Sequence, residues 1–356
     1  MKRYIKPKIA FWLLILVVAC SANLILNKPE PPPPVKTLRV MESMRTPYYL
    51  PLYLAANLGY FAEEGLAVNI TTTSQEAIRT ALHEGRTDIA LCGLQKILFT
   101  PGAKGPQPKI FAAIAGRDGS FLLSRQENGS FEWQNLNNKS IIGYSQDDSS
   151  EIALEEALRL YGQTPNRSVT IYYNISDNLR LGAFRAGTGD YIQLLEPAAS
   201  QAEAQGFGQV AASVGMATGD MIVTACAVQP ACIESNPDAL QKFTNAIYKA
   251  QLWLHRHNSE EAAAIVAPLF DNLDYGILTN AIERYRSIGV WADSPVIASD
   301  SYNKFQAAAK KSGEIAVPIS YETAVINDFA RHAVETVVLI NEEETRKKNF
   351  IQRMLK

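Results

Sequence analysis

Ala81-Leu82-His83-Glu84-Gly85-Arg86-Thr87-Asp88-Ile89-Ala90 and Ala183-Phe184-Arg185-Ala186-Gly187-Thr188-Gly189-Asp190-Tyr191-Ile192 are two copies of one phrase. Each reads as the last turn of an amphipathic helix, a Gly suited to the left-handed C′ position, two turn residues, and an Asp leading an apolar strand. Gly85 and Gly187 lie 102 residues apart, about the length of a small domain. The strand after the first copy runs into Cys92-Gly93-Leu94-Gln95, and the strand after the second into Leu194-Leu195-Glu196-Pro197. Open α/β sheets bind ligands outside the carboxyl ends of their strands. Two such edges predict a cleft between two similar α/β lobes.

The flanking pattern supports this. Strands are predicted over 37–41, 66–70, 87–91 and 109–114, with helices over 49–57 and 75–83. From Leu136 the alternation restarts: strand 139–144, helix 149–161, strand 169–173, a helix through Phe184 and strand 191–195. Strands alternating with helices of this length imply βαβ units and mostly parallel sheets. Phe121–Ser124 and Met221–Thr224 read as strands crossing between lobes. Residues 37–122 and 222–345 are therefore expected to form one discontinuous lobe, and residues 123–221 the other, with a hinge at the crossings. Asn236-Pro237-Asp238 opens a helix with an N-cap, Pro at N1 and an early acid. Leu240, Phe243, Ile247, Ala250 and Leu254 hold its apolar face. Residues 323–341 predict another long helix, and 346–356 a charged, solvated tail.

The 356-residue chain is 47% apolar and 20% charged, with a formal charge of −2. Its size supports two cores, and its charge argues against a nucleic-acid partner. Residues 1–20 read as an export signal: a basic start (Lys2, Arg3, Lys6, Lys8), then the apolar run Phe11–Ala19. Val17-Val18-Ala19-Cys20 is similar to a bacterial lipobox, which would lipidate Cys20; the other reading is a retained membrane helix. Residues 21–36, with Pro29-Glu30-Pro31-Pro32-Pro33-Pro34, form a stiff spacer. The expected location is extracytoplasmic, anchored to the membrane of a bacterial cell as a lipoprotein, or else periplasmic. Cys226 and Cys232 are close enough in sequence to pair, or else stay free, Cys226 lying in a buried strand.

Gly59-Tyr60-Phe61-Ala62-Glu63-Glu64-Gly65-Leu66 resembles the GYF-x-E-E-G-L signature of bacterial ABC-transporter solute-binding proteins, in the nitrate, sulfonate, taurine and thiamine-pyrimidine-precursor group. Gly85-x-x-Asp88, Asn135-Leu136-x-x-Lys139, Gly187-x-x-Asp190 with Glu196-Pro197, and Asn236-Pro237 before Trp253 extend the resemblance over roughly residues 37–290. It implies the α/β, two-lobed periplasmic-binding fold of type II. Each lobe is then a mostly parallel sheet flanked by helices, closing on a small solute that is passed to the permease subunits of an ABC importer. A monomer without cofactor or metal is expected.

Loops at strand ends supply the candidate ligand residues. They are Ser43, Tyr48 and Tyr49 after the first strand, Gly93 and Gln95 after the third, and Arg117 beyond the fourth. In the second lobe they are Tyr144, Ser145, Asp147, Gln193 and Glu196. Sulfonate binders of the group place an anionic head at the helix start near 145–150. Here Asp147 and Asp148 put negative charge there, although Asp148 with Glu151 also reads as a capping box. Tyrosines with carboxylates suit a nitrogenous, amino-pyrimidine-like solute; nitrate or an alkanesulfonate is the alternative. Signs of catalysis are sparse. His255 and His257 are spaced i, i+2 and share no helix face; no Gly-x-Ser-x-Gly elbow occurs, and Gly102-Ala103-Lys104-Gly105 lacks P-loop spacing. The resemblance also includes cytosolic pyrimidine synthases that consume a histidine of their own. No enzyme activity is expected, and a sensor reporting to a membrane receptor is the other non-catalytic reading.

Overall fold

The computed structural model describes residues 36–99, 105–125 and 130–339. The export segment with Cys20, the proline-rich spacer, Gly102–Lys104 and the charged tail lie outside them.

Among the described residues, ten strands form two five-stranded sheets. The first sheet contains β1 (Lys36–Glu42), β2 (Leu66–Thr72), β3 (Ile89–Gly93), β4 (Lys109–Ala112) and the returning β10 (Thr224–Val228). The second contains β5 (Phe121–Ser124), β6 (Ser140–Ile142), β7 (Thr170–Tyr172), β8 (Tyr191–Leu194) and β9 (Gln209–Ser213). Their orders are β2-β1-β3-β10-β4 and β7-β6-β8-β5-β9. The permutation is the same in both: second, first, third, an inserted strand, fourth. In each sheet only the inserted strand runs antiparallel to its neighbours. Helices flank the sheets, as α/β patterning requires. Those used below are α1 (Leu50–Asn57), α2 (Gln75–His83), α3 (Leu94–Leu98), α4 (Ser149–Leu160), α5 (Asp177–Arg185), α6 (Ala198–Ala204), α7 (Val214–Thr218), α8 (Pro237–Arg256), α9 (Tyr275–Ser287) and α10 (Ser299–Ser312).

The repeated phrase has one structural job. Gly85 and Gly187 adopt φ of +68° and +107°, which a side chain would strain. The Asp after each Gly then ties the third strand to the first. Asp88 Oδ2 accepts the Arg39 backbone N–H at 2.8 Å, and Asp190 Oδ2 accepts that of Ser140 at 2.8 Å. The Arg39 guanidinium adds bonds to Asp88 and to Gly85 O, and holds the Asp88 carboxyl below its ordinary pKa against the effect of burial.

Helix α8 buries Leu240, Phe243, Ile247, Ala250 and Leu254, with Phe243 stacked on Phe61 at 5.2 Å. Asn236 precedes it, but its side chain turns to Ser235 and Cys232 and caps nothing. The expected helix over 323–341 is broken. Short helices Tyr321–Ala324 and Asp328–Thr336 flank Val325, which bridges Ile110 at the sheet edge, and Asn327, whose side chain bonds Ile297. Met221–Val223 is likewise not strand. Met221 N–H bonds Gly116 O and Val223 O accepts Leu94 N–H, so the ladder starts at Thr224. Cys92, Cys226 and Cys232 are free thiols, so Cys226 and Cys232 do not pair. No helix among the described residues is long and apolar enough to cross a membrane.

Candidate functional site

The C-terminal ends of β1, β3, β6 and β8 converge on a cavity of about 50 Å³. After β1, Thr46 caps a tight turn over Pro47–Tyr49 by accepting the Tyr48 N–H at 3.1 Å. This stacks the Tyr48 and Tyr49 rings 5.6 Å apart. Tyr48 donates its hydroxyl to Arg117 O at 2.7 Å, and Tyr49 shares a hydrogen bond with Ser43 at 3.0 Å. Burial pushes both phenols above their ordinary pKa. Gly119 makes room for Tyr48: a Cβ there would meet the ring at 2.8 Å. At the end of β3, Gly93 does the same for the facing lobe, since a Cβ would lie 2.7 Å from Ser149 Oγ.

From the second sheet come Tyr144, Asp148, Ser149, Ser150, Asp177 and Leu195. Asp148 caps α4 by accepting the Ser150 N–H at 2.8 Å. No capping box forms. Glu151 instead reaches back to the Tyr144 N–H at 2.7 Å, and burial raises the carboxyl pKa of both acids. The other Asp148 oxygen accepts Gln75 Nε2 at 2.7 Å across the cleft. Gln75 Oε1, also in the wall, has no hydrogen-bond partner among the described residues. Among the described residues, the lining thus offers two carboxylates, a spare amide oxygen and three tyrosines, and no Lys, Arg or His.

Direct contacts span the lobes around this cavity. Ser149 Oγ accepts the Gln95 N–H at 3.0 Å, Lys96 pairs with Asp147, and Lys311 pairs with Glu156 at 2.7 Å. In both pairs the cation lies outside the second-sheet segment and the anion on it. Exposed pairs are each worth at most about 1 kcal/mol. Lys96→Glu is therefore expected to loosen the contact between these segments, seen as a larger radius of gyration in small-angle scattering. Adding Asp147→Lys in the same chain restores the compact value.

Of the sequence-selected residues, Ser43, Tyr48, Tyr49, Gly93 and Tyr144 line the cavity, and the other six stand elsewhere. Gln95 is buried beside it, with Nε2 on Glu314 O. Arg117 faces the outside of the crossing, bonded to Asp220 and Ile288 O. Ser145 is exposed, and its carbonyl accepts the Asp148 N–H. Asp147 is engaged by Lys96, which holds its carboxyl below the ordinary pKa against partial burial. Gln193 lies beneath the floor, bonding Ser120 Oγ and Ser150 O. Glu196 points to the back of the hinge, where Arg284 Nη1 at 2.6 Å and Ser200 hold it. Gln75 and Asp177 are cavity residues that strand-end reasoning passed over; each lies at the start of the helix that follows a second strand, β2 or β7.

Residues 46–261 match the sequence family described as NMT1/THI5 like. YtlA of Bacillus subtilis (strain 168), named as a candidate binding protein, is 31% identical over 323 residues, covering 90% of this chain and 94% of that one. The chain belongs to the NMT1/THI5-like family. Family members differ in what their names assign. The 4-amino-5-hydroxymethyl-2-methylpyrimidine phosphate synthase THI13 of Saccharomyces cerevisiae is 28% identical over 224 residues, 58% of this chain and 63% of that one. The periplasmic nitrate-binding protein NrtA from Synechocystis PCC 6803 superposes with a TM-score of 0.64 at 16% identity, covering 88% of this chain and 91% of that one. This NMT1/THI5-like chain therefore has the two-lobed fold of periplasmic binding proteins.

Proposed function

We propose that the protein is the solute-binding component of an ABC importer that captures a small, planar, amine-bearing solute of the amino-pyrimidine class. The observation that carries this is the cavity wall: among the described residues it offers tyrosine rings, two carboxylates and the unshared Gln75 Oε1, without a basic side chain. A carboxylate accepts from N–H donors and repels an oxyanion, so the wall favours an exocyclic amine over nitrate or a sulfonate. The names of YtlA and NrtA support a binding role. Delivery to a permease, and an extracytoplasmic position held by the N-terminal segment, belong to the same reading.

The solute acts by binding the closed form better than the open one, which is the only way a ligand shifts such an equilibrium. It bridges Tyr48 and Gln75 on one side and Tyr144 and Asp148 on the other. The reading is of a carrier, not an enzyme. The chain's four histidines, His83, His255, His257 and His332, all lie outside the cavity wall, so a synthase that spends its own histidine finds none there.

Calorimetry on the full chain tests this with 4-aminopyrimidines, nitrate and alkanesulfonates. Aminopyrimidine binding with a raised melting temperature is expected, and mass spectrometry should recover the compound unchanged. Asp148→Asn keeps the helix cap but loses a charged acceptor. It is expected to weaken binding about tenfold or more, since hydrogen bonds to charged groups contribute about 1.5–3 kcal/mol. Binding of nitrate or a sulfonate in place of the aminopyrimidine overturns the solute class.

A further inference from the structure

Arg180 is a buried cation next to a cavity that it does not line. It is 3% exposed, on α5, and its Nη2 donates to Gln193 O and Ile142 O near the ends of β8 and β6. Its guanidinium carbon lies 3.7 Å from the centroid of the Tyr144 ring. Its Nε donor is buried without a hydrogen-bond partner among the described residues, so the group is placed for stacking at the expense of a donor. The Tyr144 hydroxyl accepts the Leu195 N–H at 3.1 Å, which fixes the ring from its far end. One face of a cavity-wall aromatic is therefore permanently occupied by a positive charge.

We infer that Arg180 sets which charge of solute Tyr144 accepts: a neutral planar ring, and not a cationic one of the same shape. This rests on the solute reading above and refines it. An aromatic face attracts cations through its quadrupole, and here Arg180 has already taken that interaction. A second cation against the same ring meets the guanidinium charge through a thin, low-dielectric layer. A neutral heteroaromatic ring escapes this repulsion and keeps the stacking contact. Of the two acids in the wall, Asp148 is bonded to Gln75, and Asp177 forms a long ion pair with Arg180 Nη1 at 3.8 Å; Asp177 is largely exposed, so it offsets the guanidinium charge only in part. The wall is thus divided, with an acceptor end for the amine and a cation-refusing face for the ring. Arg180 is a positioning residue, acting through Tyr144.

The test compares a 4-aminopyrimidine with its permanently charged N-methyl cation, measuring both dissociation constants by calorimetry. Wild type is expected to prefer the neutral compound. Arg180→Gln, which can still donate to Gln193 O, should shift the preference about tenfold toward the cation, the scale of a desolvated cation–π contact. Arg180→Lys keeps the charge and should keep the neutral preference. A merely structural role predicts equal losses for both compounds, and an unchanged ratio in Arg180→Gln overturns the inference. If that variant fails to fold, Tyr144→Leu decides: it should cost the neutral compound more than the cation, and equal cost overturns the inference. A wild type that binds the aminopyrimidine without discriminating against the cation defeats this inference alone. A wild type that binds neither compound defeats the solute reading together with it.

Discussion

Gly215→Ala is expected to lower the melting temperature by about 2–5 °C, from an overpacking cost of roughly 1–3 kcal/mol. Gly215 lies in α7, where the chain returns from the second sheet to the first. A Cβ there would sit 2.0 Å from Asp118 O on the outward crossing. Backbone stands in the way, and that backbone is tied down: Val214 N–H bonds Ser120 O at 3.0 Å, and Met221 N–H bonds Gly116 O at 3.1 Å. Neither crossing yields without breaking these bonds. Gly182→Ala on α5 is the control. Nothing lies within 4 Å of a Cβ there, and alanine should stabilise that helix by about 0.5–1 kcal/mol. Calorimetric melts of the three proteins check both signs. A wild-type melt for Gly215→Ala contradicts the close packing of the two crossings.

The duplicated architecture was legible because its determinants are local and occur twice. Helix 75–83 has the bounds the sequence predicts, since Ser74 caps it on Ala77 N–H and Gly85 ends it with a positive φ. The break at Val325–Asn327 was not legible. The residues keep a helical apolar period, and what overrides it is a sheet-edge partner, Ile110, far away in sequence. The site divides along the same line. Ser43, Tyr48, Tyr49, Gly93 and Tyr144 follow from the rule that strand ends face the cleft. The direction of Glu196, Gln193 and Arg117 depends on Arg284, Ser120 and Asp220, which no local pattern announces. Gln75 and Asp177 were within reach of that rule, had it been carried to the second strand of each sheet.

Asp118→Asn is expected to change how stability depends on pH by up to about 3 kcal/mol, since each pH unit separating the folded from the unfolded pKa is worth about 1.4 kcal/mol. Asp118 lies on the outward crossing, 0% exposed, and accepts the Ser120 N–H at 2.9 Å. Burial pushes its carboxyl up to about 6, against the opposing pull of the Ser120 hydrogen bonds. Its folded pKa therefore exceeds its unfolded one. Between the ordinary aspartate value, about 3.9, and about 6, the native state binds more protons than the unfolded chain. The stability this group adds is complete below the unfolded pKa and is lost as pH rises through about 6. Asparagine stays neutral and still accepts from Ser120, so the variant should gain on wild type between pH 4 and 7 and level off above that. Other titrating groups are common to both proteins and cancel in the difference. Urea midpoints at pH 4, 5, 6 and 7.5 give that difference directly. A flat difference across this range means that the carboxyl is solvated in solution, and then the crossing on which the lobes hinge is more open to water than its packing against Gly215 requires.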